Sequence, residues 1–347
     1  MISYIIAAYN ESKNISACVD NVLENFIEGG EIIIVDDGST DDTWEICQRL
    51  TQKYREVKAY HQTNTGVSGA RNHGLRMATK KWITFVDADD RVVNQGLEKM
   101  LQKAEEVNAD LIIGAQTVNG ENREVNEMYE LREGNTLQIY ALNKSKYSKC
   151  MLGKIHGCYG KLYKTELAKA VGFIDGLGLG EDLLFVMGVL ERAKKIATTN
   201  IVCYSIYENA MSATRRMNKD MIEYAVKFIK ETQILEMERR DSVYFEELNY
   251  QRFHHFDVGV GGFLAHRENR MAFAERLMIC KEVGRECGIE EICRNVNLNS
   301  KSLSAYEKKA VLSLSEGNYS GFLLYRIFFG KMKSIKSSIG DFLKRRK

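Results

Sequence analysis

The chain has 347 residues, of which 44% are hydrophobic and 28% are charged, a balance that is ordinary for a globular protein with two domains or one large one. Its formal net charge of +2 excludes a globally basic surface, so nucleic acid is not an expected partner. No apolar run reaches the ~18 residues that a membrane-spanning helix requires.

The cysteines and the first residues bear on the compartment. The first residues lead directly into an apolar strand and have no basic flank. We therefore expect no export signal. Its eight cysteines form no Cys-x-x-Cys pair. Cys280, Cys287 and Cys293 are spaced too loosely for a usual zinc site. We therefore expect reduced, mostly buried thiols in a cytoplasmic protein.

Strand-like and helix-like stretches alternate over the first 115 residues. The predicted strands are Ser3–Ala8, Glu31–Val35, Val57–His61, Trp82–Val86 and Asp110–Gly114. The predicted helices between them are Asn14–Phe26, Asp41–Tyr54, Val67–Thr79 and Gly96–Val107. Such alternation is typical of βαβ units. It predicts an α/β fold with a mainly parallel, Rossmann-like sheet and helices on both faces.

The pattern changes twice further along the chain. Residues 116–149 are polar and mixed, and we interpret them as a variable excursion that can hold a hairpin. Order returns at 157–164, a helix opens at 180–185, and Ile201–Ile206 is a predicted strand. After about residue 218 only helices are predicted, namely Asp220–Arg240, Phe245–Leu264, Met271–Glu286 and Ser304–Leu314. We therefore expect an α/β domain over 1–216 and a helical domain over 217–347.

Two of the predicted strands end in carboxylates. Asp87, Asp89 and Asp90 follow the fourth strand, and Asp36 and Asp37 follow the second. Open α/β sheets bind ligands just outside the carboxyl ends of their strands, and clustered carboxylates there suit Mg²⁺ or Mn²⁺ bound together with substrate phosphates. An acidic turn is the alternative interpretation. For Asp90 we favour a structural role, capping the turn into the next helix.

Four segments of the α/β part resemble motifs of one family. They are Ile5–Glu11 (IIAAYNE), Val35–Asp41 (VDDGSTD), Asn64–Gly74 (NTGVSGARNHG) and Phe85–Asp90 (FVDADD). Each motif is weakly specific by itself, but all four occur in the order and at the spacing found in the inverting family 2 glycosyltransferases of the GT-A fold. The resemblance covers roughly residues 1–215. Ala7 departs from it, because proline is usual there and this chain contains no proline.

The resemblance implies a nucleotide-sugar donor, with UDP as the expected nucleotide, and a Mn²⁺ or Mg²⁺ ion bound by Asp89. By the same resemblance, Asp87 would lie near the ribose and the metal. Asp37 would accept a hydrogen bond from uracil N3–H, while Asp36 would brace the loop. The remaining donor-binding positions that the resemblance implies are Ala7, Tyr9, Glu11, Asn64 and Arg71.

Three of these side chains also have structural interpretations. Tyr9 can lie against the uracil face or be an aromatic of the core at a strand end. Glu11 can hydrogen-bond the ribose or cap a turn. Arg71 can lie near the nucleotide or pair with Asp87 or Asp37.

The transfer reaction also needs a base. An inverting transferase deprotonates an acceptor hydroxyl as that oxygen attacks the anomeric carbon. Glu181 and Asp182, in the segment GEDLLF, resemble the Glu-Asp motif that supplies this base in the family. We expect Asp182 to be the base and Glu181 to be the runner-up or a contact to the acceptor. In the alternative interpretation both are ordinary first-turn acids of a helix.

Two further segments resemble parts of the same family. Residues 160–164 (GKLYK) are similar to its Lys-Leu-Tyr segment, and Tyr159 stands near the place of a usual tryptophan. Residues 204–216 resemble its closing segment. There Ser212 and Arg215, or Arg216, would steady the diphosphate, although an exposed structural role is an equal alternative.

The last 28 residues are basic and amphipathic. Residues 320–347 contain eight Lys or Arg and one Asp, among apolar and aromatic side chains. Such a segment can lie on an anionic membrane surface, which would place the protein peripherally on the inner membrane face. It can equally be an apolar stripe packed on the helical domain. The helical domain is also expected to serve acceptor binding or homo-oligomer formation.

The residues and the resemblance together predict a metal-dependent, inverting glycosyltransferase of the kind that assembles bacterial surface polysaccharides. Its acceptor would be a glycan, a lipid-linked sugar or a polyol phosphate. A sugar nucleotidyltransferase is one alternative, but it would need a glycine-rich basic loop after the first strand, and residues 9–12 (YNES) offer none. A non-catalytic nucleotide-sugar-binding protein is the other.

Overall fold

The computed structural model describes residues 1–93, 95–118, 132–134, 157–207, 220–238, 245–299 and 303–330. The chain divides into two compact units. Unit 1 contains the described residues up to 207, and unit 2 contains those from residue 220 onward. The predicted domain boundary at residue 216 lies outside the described residues.

Unit 1 is built on a nine-stranded sheet with helices against it. Its strands are β1 Ile2–Ala8, β2 Glu31–Asp36, β3 Val57–His61, β4 Trp82–Asp87, β5 Arg91–Val92, β6 Leu111–Val118, β7 Arg132–Gly134, β8 Lys161–Lys164 and β9 Ile196–Ile206. Its helices are α1 Ile15–Glu24, α2 Thr43–Lys53, α3 Gly66–Met77, α4 Gly96–Glu106, α5 Thr165–Val171 and α6 Glu181–Arg192.

The strand order is β3-β2-β1-β4-β8-β6-β9-β5, and β7 pairs with β9. The first four strands of this order are parallel to one another, whereas β8 is antiparallel to both of its neighbours. This confirms the predicted α/β fold with a mainly parallel sheet. The apolar runs predicted the first four strands because strands buried on both faces read as continuous hydrophobic segments.

Two strands are several residues longer than predicted. β6 continues to Val118 and β9 begins at Ile196, because the two strands pair in parallel over most of their length. That pairing supplies backbone partners to polar positions such as Thr198, which is buried in β9. Local composition does not carry this information.

The register of the parallel strands brings their carboxyl ends to one edge. Ala7 of β1 lies opposite Asp87 of β4, and Ala8 lies opposite Asp36 of β2. Helix α1 covers one face of the sheet with buried side chains at helical spacing, namely Ile15, Cys18, Val19 and Val22. The two acidic strand ends therefore lie at the same edge of the sheet, one on either side of β1.

Unit 2 is helical in its described residues. Its elements are α7 Asp220–Glu238, α8 Phe245–His255, a π-helical turn Phe256–Gly261, α9 Gly262–Ala265, α10 Phe273–Cys287, α11 Ile289–Arg294, α12 Ala305–Ser315 and α13, residues 319–330. Gly259 packs closely on α7, since a Cβ there would lie 2.5 Å from the carbonyl oxygen of Met221. None of the described helices combines the length and the apolar character that crossing a membrane requires. Each of the seven described cysteines is buried and free.

Candidate active site

Arg71 is the centre of a cluster of carboxylates at the sheet edge. One guanidinium nitrogen donates to Asp182 Oδ1 at 2.6 Å and to Glu181 Oε1 at 3.2 Å. The other donates to Asp87 Oδ1 at 3.0 Å. Only 5% of the Arg71 side chain is exposed. Of the two ion pairs considered for this arginine, the structure contains the one with Asp87, and Asp37 is occupied elsewhere.

The cluster joins two halves of the expected chemistry. Asp87 ends β4, whereas Glu181 and Asp182 form the first turn of α6. More than one hundred residues separate Arg71 from the α6 carboxylates. Asp87, expected on the donor side, and Asp182, expected to be the base, thus contact different nitrogens of one guanidinium.

Burial shifts the pKa values of these groups. Although burial by itself would lower the pKa of Arg71, the neighbouring carboxylates hold it well above its ordinary value. Burial, together with the charge of Asp182, raises the pKa of Glu181 to about 7. The pKa of Asp87 is also raised, by burial first, against the opposing effect of Arg71. Near neutral pH, Glu181 is therefore a carboxyl that readily takes up a proton.

Asp182 is held on both of its oxygens. Its Oδ1 pairs with Arg71, and its Oδ2 accepts a hydrogen bond from the Cys158 backbone N–H at 3.3 Å. A carboxylate can accept about four hydrogen bonds, so this arrangement leaves room for an acceptor hydroxyl. Its position in the first turn of α6 also agrees with the alternative interpretation, because first-turn acids stabilise a helix.

The loop before β8 supports Asp182 through a buried lysine. Lys161 is fully buried, and its Nζ donates to the carbonyl oxygens of Gly157, at 2.5 Å, and Tyr159, at 3.2 Å. These two carbonyls flank Cys158, whose N–H contacts Asp182. Burial lowers the pKa of Lys161 to about 8. This role of Lys161 was not predicted from the sequence, in which it stands only within the family-like segment GKLYK.

The second strand end carries a bracing network. Asp37 Oδ1 accepts from Gln62 Nε2 at 2.8 Å and from the Thr65 backbone N–H at 2.9 Å. Asp36 Oδ2 contacts His61 Nδ1 at 2.6 Å. Both aspartates therefore brace the loop after β3, whereas this role was expected only of Asp36. Among the described residues nothing donates to Asp37 Oδ2, which leaves that oxygen for a ligand. Gln62 was not singled out from the sequence.

The remaining donor-side positions lie along the same edge. Tyr9 follows β1 and is 48% exposed, so its interpretation as a core aromatic is wrong. Glu11 Oε2 accepts from Asn14 Nδ2 at 2.7 Å, and the Glu11 backbone carbonyl accepts from the N–H groups of Asn14 and Ile15 in the turn before α1. Burial, opposed by that hydrogen bond and supported by the charge of Asp89, raises the pKa of Glu11. Asn64 is exposed, and its Oδ1 accepts from a backbone N–H two residues later. Ala7 is half-buried at the end of β1.

Asp89 and Asp90 have different surroundings. Asp89 is half-buried, and no described residue donates a hydrogen bond to its carboxylate. Asp90 is buried, and its Oδ1 accepts from the Tyr207 backbone N–H at 2.8 Å. The expectation that Asp90 caps the turn into the next helix is wrong, because α4 begins only at Gly96. Asp90 instead joins the end of β4 to the end of β9.

The described residues fit a metal ion that is coordinated partly by the protein and partly by the oxygens of a bound diphosphate. They contain no group of three or more His, Cys, Asp or Glu side chains arranged to hold a metal ion. Mg²⁺-type sites in nucleotide enzymes use one or two carboxylates and complete the shell with phosphate oxygens and water. Asp89, with Asp87 and Glu11 nearby, suits that arrangement. Ser212 and Arg215, expected to contact the diphosphate, lie outside the described residues.

A tyrosine pair backs the cluster. The Tyr204 hydroxyl accepts from the Asp87 backbone N–H at 2.9 Å, and its ring stacks on Tyr159 with centroids 4.9 Å apart. Tyr204 is buried in β9. In the sequence, both tyrosines stand in segments that resemble the family. Their contact was not predicted, because they are distant in the chain.

Known proteins with similar sequences are glycosyltransferases. Residues 3–166 match the family described as Glycosyl transferase family 2. Glycosyltransferase GlyG of Streptococcus pneumoniae serotype 4 is 38% identical over 115 residues, which cover 33% of this chain and 38% of GlyG. Glycosyltransferase GlyA of the same organism is 28% identical over 218 residues, or 61% of this chain and 31% of GlyA. The chain thus spans about a third of the length of these two relatives.

A third relative is the poly(ribitol-phosphate) beta-glucosyltransferase of Bacillus spizizenii. It is 29% identical over 211 residues, which cover 57% of this chain and 31% of the relative.

Solved structures share the fold. The TarS 1–349 structure from S. aureus is 18% identical and has a TM-score of 0.66, with 95% of this chain and 91% of that chain covered. A second TarS structure contains UDP-GlcNAc, with a TM-score of 0.62, 18% identity and the same coverage. The mannosyltransferase PcManGT from Pyrobaculum calidifontis, in complex with GDP-Man and Mn²⁺, has a TM-score of 0.52, 16% identity, and coverage of 91% and 86%.

The matched residues 3–166 run from β1 into α5 and include both acidic strand ends and Arg71. With this match and the shared architecture, the chain is similar to glycosyl transferase family 2 over residues 3–166 and has a GT-A-like α/β fold.

Proposed function

We propose that the chain transfers a sugar, with inversion and with the help of a divalent metal, from a UDP-linked donor to an acceptor hydroxyl. The observation that carries this proposal is the Arg71 cluster. It holds Asp87, at the expected donor side, and Asp182, at the expected acceptor side, on one buried guanidinium. A transfer reaction needs these two sides in fixed register, because attack and departure occur along one line through the anomeric carbon.

The donor would be bound along the edge formed by β1, β2 and β4. Tyr9 offers an exposed ring for stacking on uracil, and Asp37 Oδ2 is available for the N3–H donor. Glu11 and Asp87 would contact the ribose. Ala7, Asn64 and Arg71 line or support the same edge, and Ser212 and Arg215 would complete the diphosphate contacts.

Asp89 would hold a Mn²⁺ or Mg²⁺ ion together with the diphosphate. When bound, such an ion neutralises the charge that develops on the leaving diphosphate. The mannosyltransferase that shares the fold contains Mn²⁺ in its structure, which supports this choice.

Asp182 would act as the base. As the acceptor oxygen forms its bond to the anomeric carbon, its proton passes to an Asp182 carboxylate oxygen, and the bond from the anomeric carbon to the diphosphate oxygen breaks on the opposite face. Arg71 and the Cys158 N–H hold the carboxylate in place for this step. Glu181 would contact the acceptor.

The acceptor would be a glycan, a lipid-linked sugar or a polyol phosphate in cell-surface polysaccharide synthesis at the cytoplasmic side. The relatives named for surface-polymer glycosylation, such as the poly(ribitol-phosphate) beta-glucosyltransferase, support this class. The family match does not favour a sugar nucleotidyltransferase. A non-catalytic nucleotide-sugar-binding protein would bind the donor but transfer nothing.

Substitution of Asp182 tests the base. We expect Asp182→Asn to lower sugar transfer at least 100-fold while metal-dependent UDP binding, measured by calorimetry, is retained. Glu166→Gln is the matched control, because Glu166 is also a first-turn acid, on α5, and is exposed. Transfer by Asp182→Asn at the wild-type rate would overturn the base assignment.

Substitution of Asp89 tests the metal. We expect Asp89→Ala to abolish the Mn²⁺ dependence of UDP binding, whereas Asp42→Ala, which removes an exposed acid beside α2, should leave it intact. Unchanged metal dependence in Asp89→Ala would contradict the assignment. A screen of UDP-Glc, UDP-Gal, UDP-GlcNAc and UDP-GalNAc for metal-dependent hydrolysis would identify the donor. Binding without hydrolysis or transfer for all of them would favour the non-catalytic alternative.

A further inference from the structure

Helix α13 has one face fixed against unit 2. Phe322 and Leu323 are fully buried, and the Phe322 ring packs against Phe256 of the π-helical turn. On the same helix, Arg326 donates to Asp257 Oδ2 at 2.6 Å. These contacts set the rotation of α13 about its axis. Its opposite face therefore cannot turn inward.

The exposed part of α13 is apolar. Leu324, Tyr325, Phe328 and Phe329 are 56%, 38%, 63% and 45% exposed. They occur at i, i+1, i+4 and i+5 and so form one stripe along the helix. Leu324 and Phe328 face away from Phe322, whereas Phe329, seven residues after Phe322, lies beside the buried face and stacks on Tyr306, with ring centroids 4.6 Å apart. We name these four side chains the α13 apolar face. Large exposed aromatic side chains in a contiguous stripe are typical of an interaction surface rather than of ordinary solvent contact.

The surroundings of the α13 apolar face are basic. Lys309 of α12 lies over the Tyr325 ring, 5.0 Å from its centroid. The 17 residues that follow the helix, 331–347, contain seven Lys or Arg and one Asp. The rest of the chain, up to residue 319, carries a net negative charge. In the sequence, positive charge is thus concentrated directly after the helix that carries the exposed apolar side chains.

The positive charge indicates which kind of partner can bind the α13 apolar face. In a two-fold contact between copies, the same patch meets itself, so two basic segments would be brought together and repel. Four side chains are also few for the ~800 Å² that each partner buries in a standard protein interface. An anionic lipid surface is complementary to both properties, because basic side chains pair with headgroups while apolar ones enter the acyl boundary.

We propose that the α13 apolar face docks the protein on an anionic lipid surface. The docking requires no spanning helix and does not depend on the proposed transfer reaction. Leu324 and Phe328, the two most exposed members, insert between lipids, and Tyr325 lies at headgroup level with Lys309.

Vesicle binding of the full chain tests the proposal. We expect wild-type protein to co-sediment with vesicles that contain 30% phosphatidylglycerol in phosphatidylcholine, and to bind phosphatidylcholine vesicles at least tenfold more weakly. The double variant Leu324→Ser/Phe328→Ser should lose at least tenfold in binding to the anionic vesicles. Raising the salt concentration should weaken wild-type binding, because the basic residues contribute through charge.

A double variant on other helices is the matched control. Ile234→Ser/Met278→Ser also removes two exposed apolar side chains, which are 52% and 53% exposed on α7 and α10, and should bind like wild type. Circular dichroism will show whether both variants are folded, as expected for substitutions at exposed positions.

Three outcomes would overturn the proposal. The first is no binding of wild type to anionic vesicles. The second is equal binding by wild type and the Leu324→Ser/Phe328→Ser variant. The third is a wild-type dimer, seen by light scattering, that this variant alone dissociates while vesicle binding is unchanged, since that would assign the face to a second copy.

Discussion

Arg71 illustrates how one residue can organise a site. A guanidinium presents five donors in a planar fork, and here the fork contacts carboxylates of β4 and of α6. A lysine would supply the charge but not this geometry. The sequence predicts Arg71 as a site residue, with Asp87 or Asp37 as its partner in the structural interpretation. It did not predict the contact with Asp182, because the two lie 111 positions apart.

Glu181 allows a pH test of the cluster. Its pKa rises from 4.5 to about 7 in the folded chain, so it contributes stability below about pH 4.5 and loses that contribution as the pH rises to about 7. Gln at this position cannot ionise. As the pH rises from 5 to 8, the free energy of unfolding of Glu181→Gln should therefore increase relative to that of wild type, by on the order of 2–3 kcal/mol. Urea unfolding at the two pH values, without donor or metal, measures this.

The exposed first-turn acid Glu166 is again the control for that measurement, and Glu166→Gln should show no pH-dependent difference from wild type. An equal stability difference between Glu181→Gln and wild type at pH 5 and pH 8 would contradict the raised pKa of Glu181.

At the scale of elements, the strand ends and the loops after them deliver the site. Parallel register places residues 7–11, Asp37 and Asp87 on one edge, and this followed from the alternating pattern and the known position of ligands in such sheets. The position of β8 between β4 and β6 did not follow, because a four-residue strand has little pattern of its own. Yet β8 carries Lys161, and the loop before it contains Cys158.

Gly38 tests the loop after β2. Its φ is +71°, and a Cβ there would lie 2.8 Å from the Asn64 backbone nitrogen. Gly38→Ala should therefore cost ~2–3 kcal/mol, from strain at a left-handed position and from the close contact, and should weaken UDP binding. Gly66 separates the two causes, since its φ is +83° but nothing lies within 4 Å of its Cβ position.

Gly66→Ala should accordingly cost only ~1 kcal/mol, from the left-handed backbone alone. Chemical denaturation of both variants measures the difference. Equal costs would show that the approach of Gly38 to Asn64 is unimportant.

At the scale of the whole molecule, the carboxylate cluster and the exposed side chains of α13 belong to different units. Unit 1 contains the carboxylate cluster, and unit 2 contains the exposed face of α13. The ion pair of Asp257 with Arg326, joined by the Tyr306 hydroxyl, shows that α13 belongs to the packed helices of unit 2. The sequence left open whether residues 320–347 lie on a membrane surface or pack on the helical domain. In the part that the structure describes, up to residue 330, Phe322 and Leu323 are buried, whereas Leu324 and Phe328 are exposed.

Ligand binding should be visible in the stability of the whole chain. A ligand that binds only the folded state stabilises it by ~2.7 kcal/mol at 100 times its dissociation constant, so UDP with Mn²⁺ should raise the melting temperature by several degrees. GDP at the same concentration should raise it less, because Asp37 is suited to accept from uracil N3–H. Thermal melting monitored by circular dichroism measures both shifts, and a larger shift with GDP would contradict the choice of UDP.

The sequence by itself determined the α/β class, the first four strands, the two acidic strand ends and the family resemblance that the comparisons confirm. These are local properties: hydrophobic period, turn residues and short motifs lie within a few positions of one another. Only the tertiary structure decided that Arg71 joins Asp87 to Asp182, that Lys161 is buried behind Cys158, that Asp90 pairs with Tyr207 and that one face of α13 stays exposed. Such contacts join residues distant in the chain, and they depend on how whole elements pack, which no local pattern records.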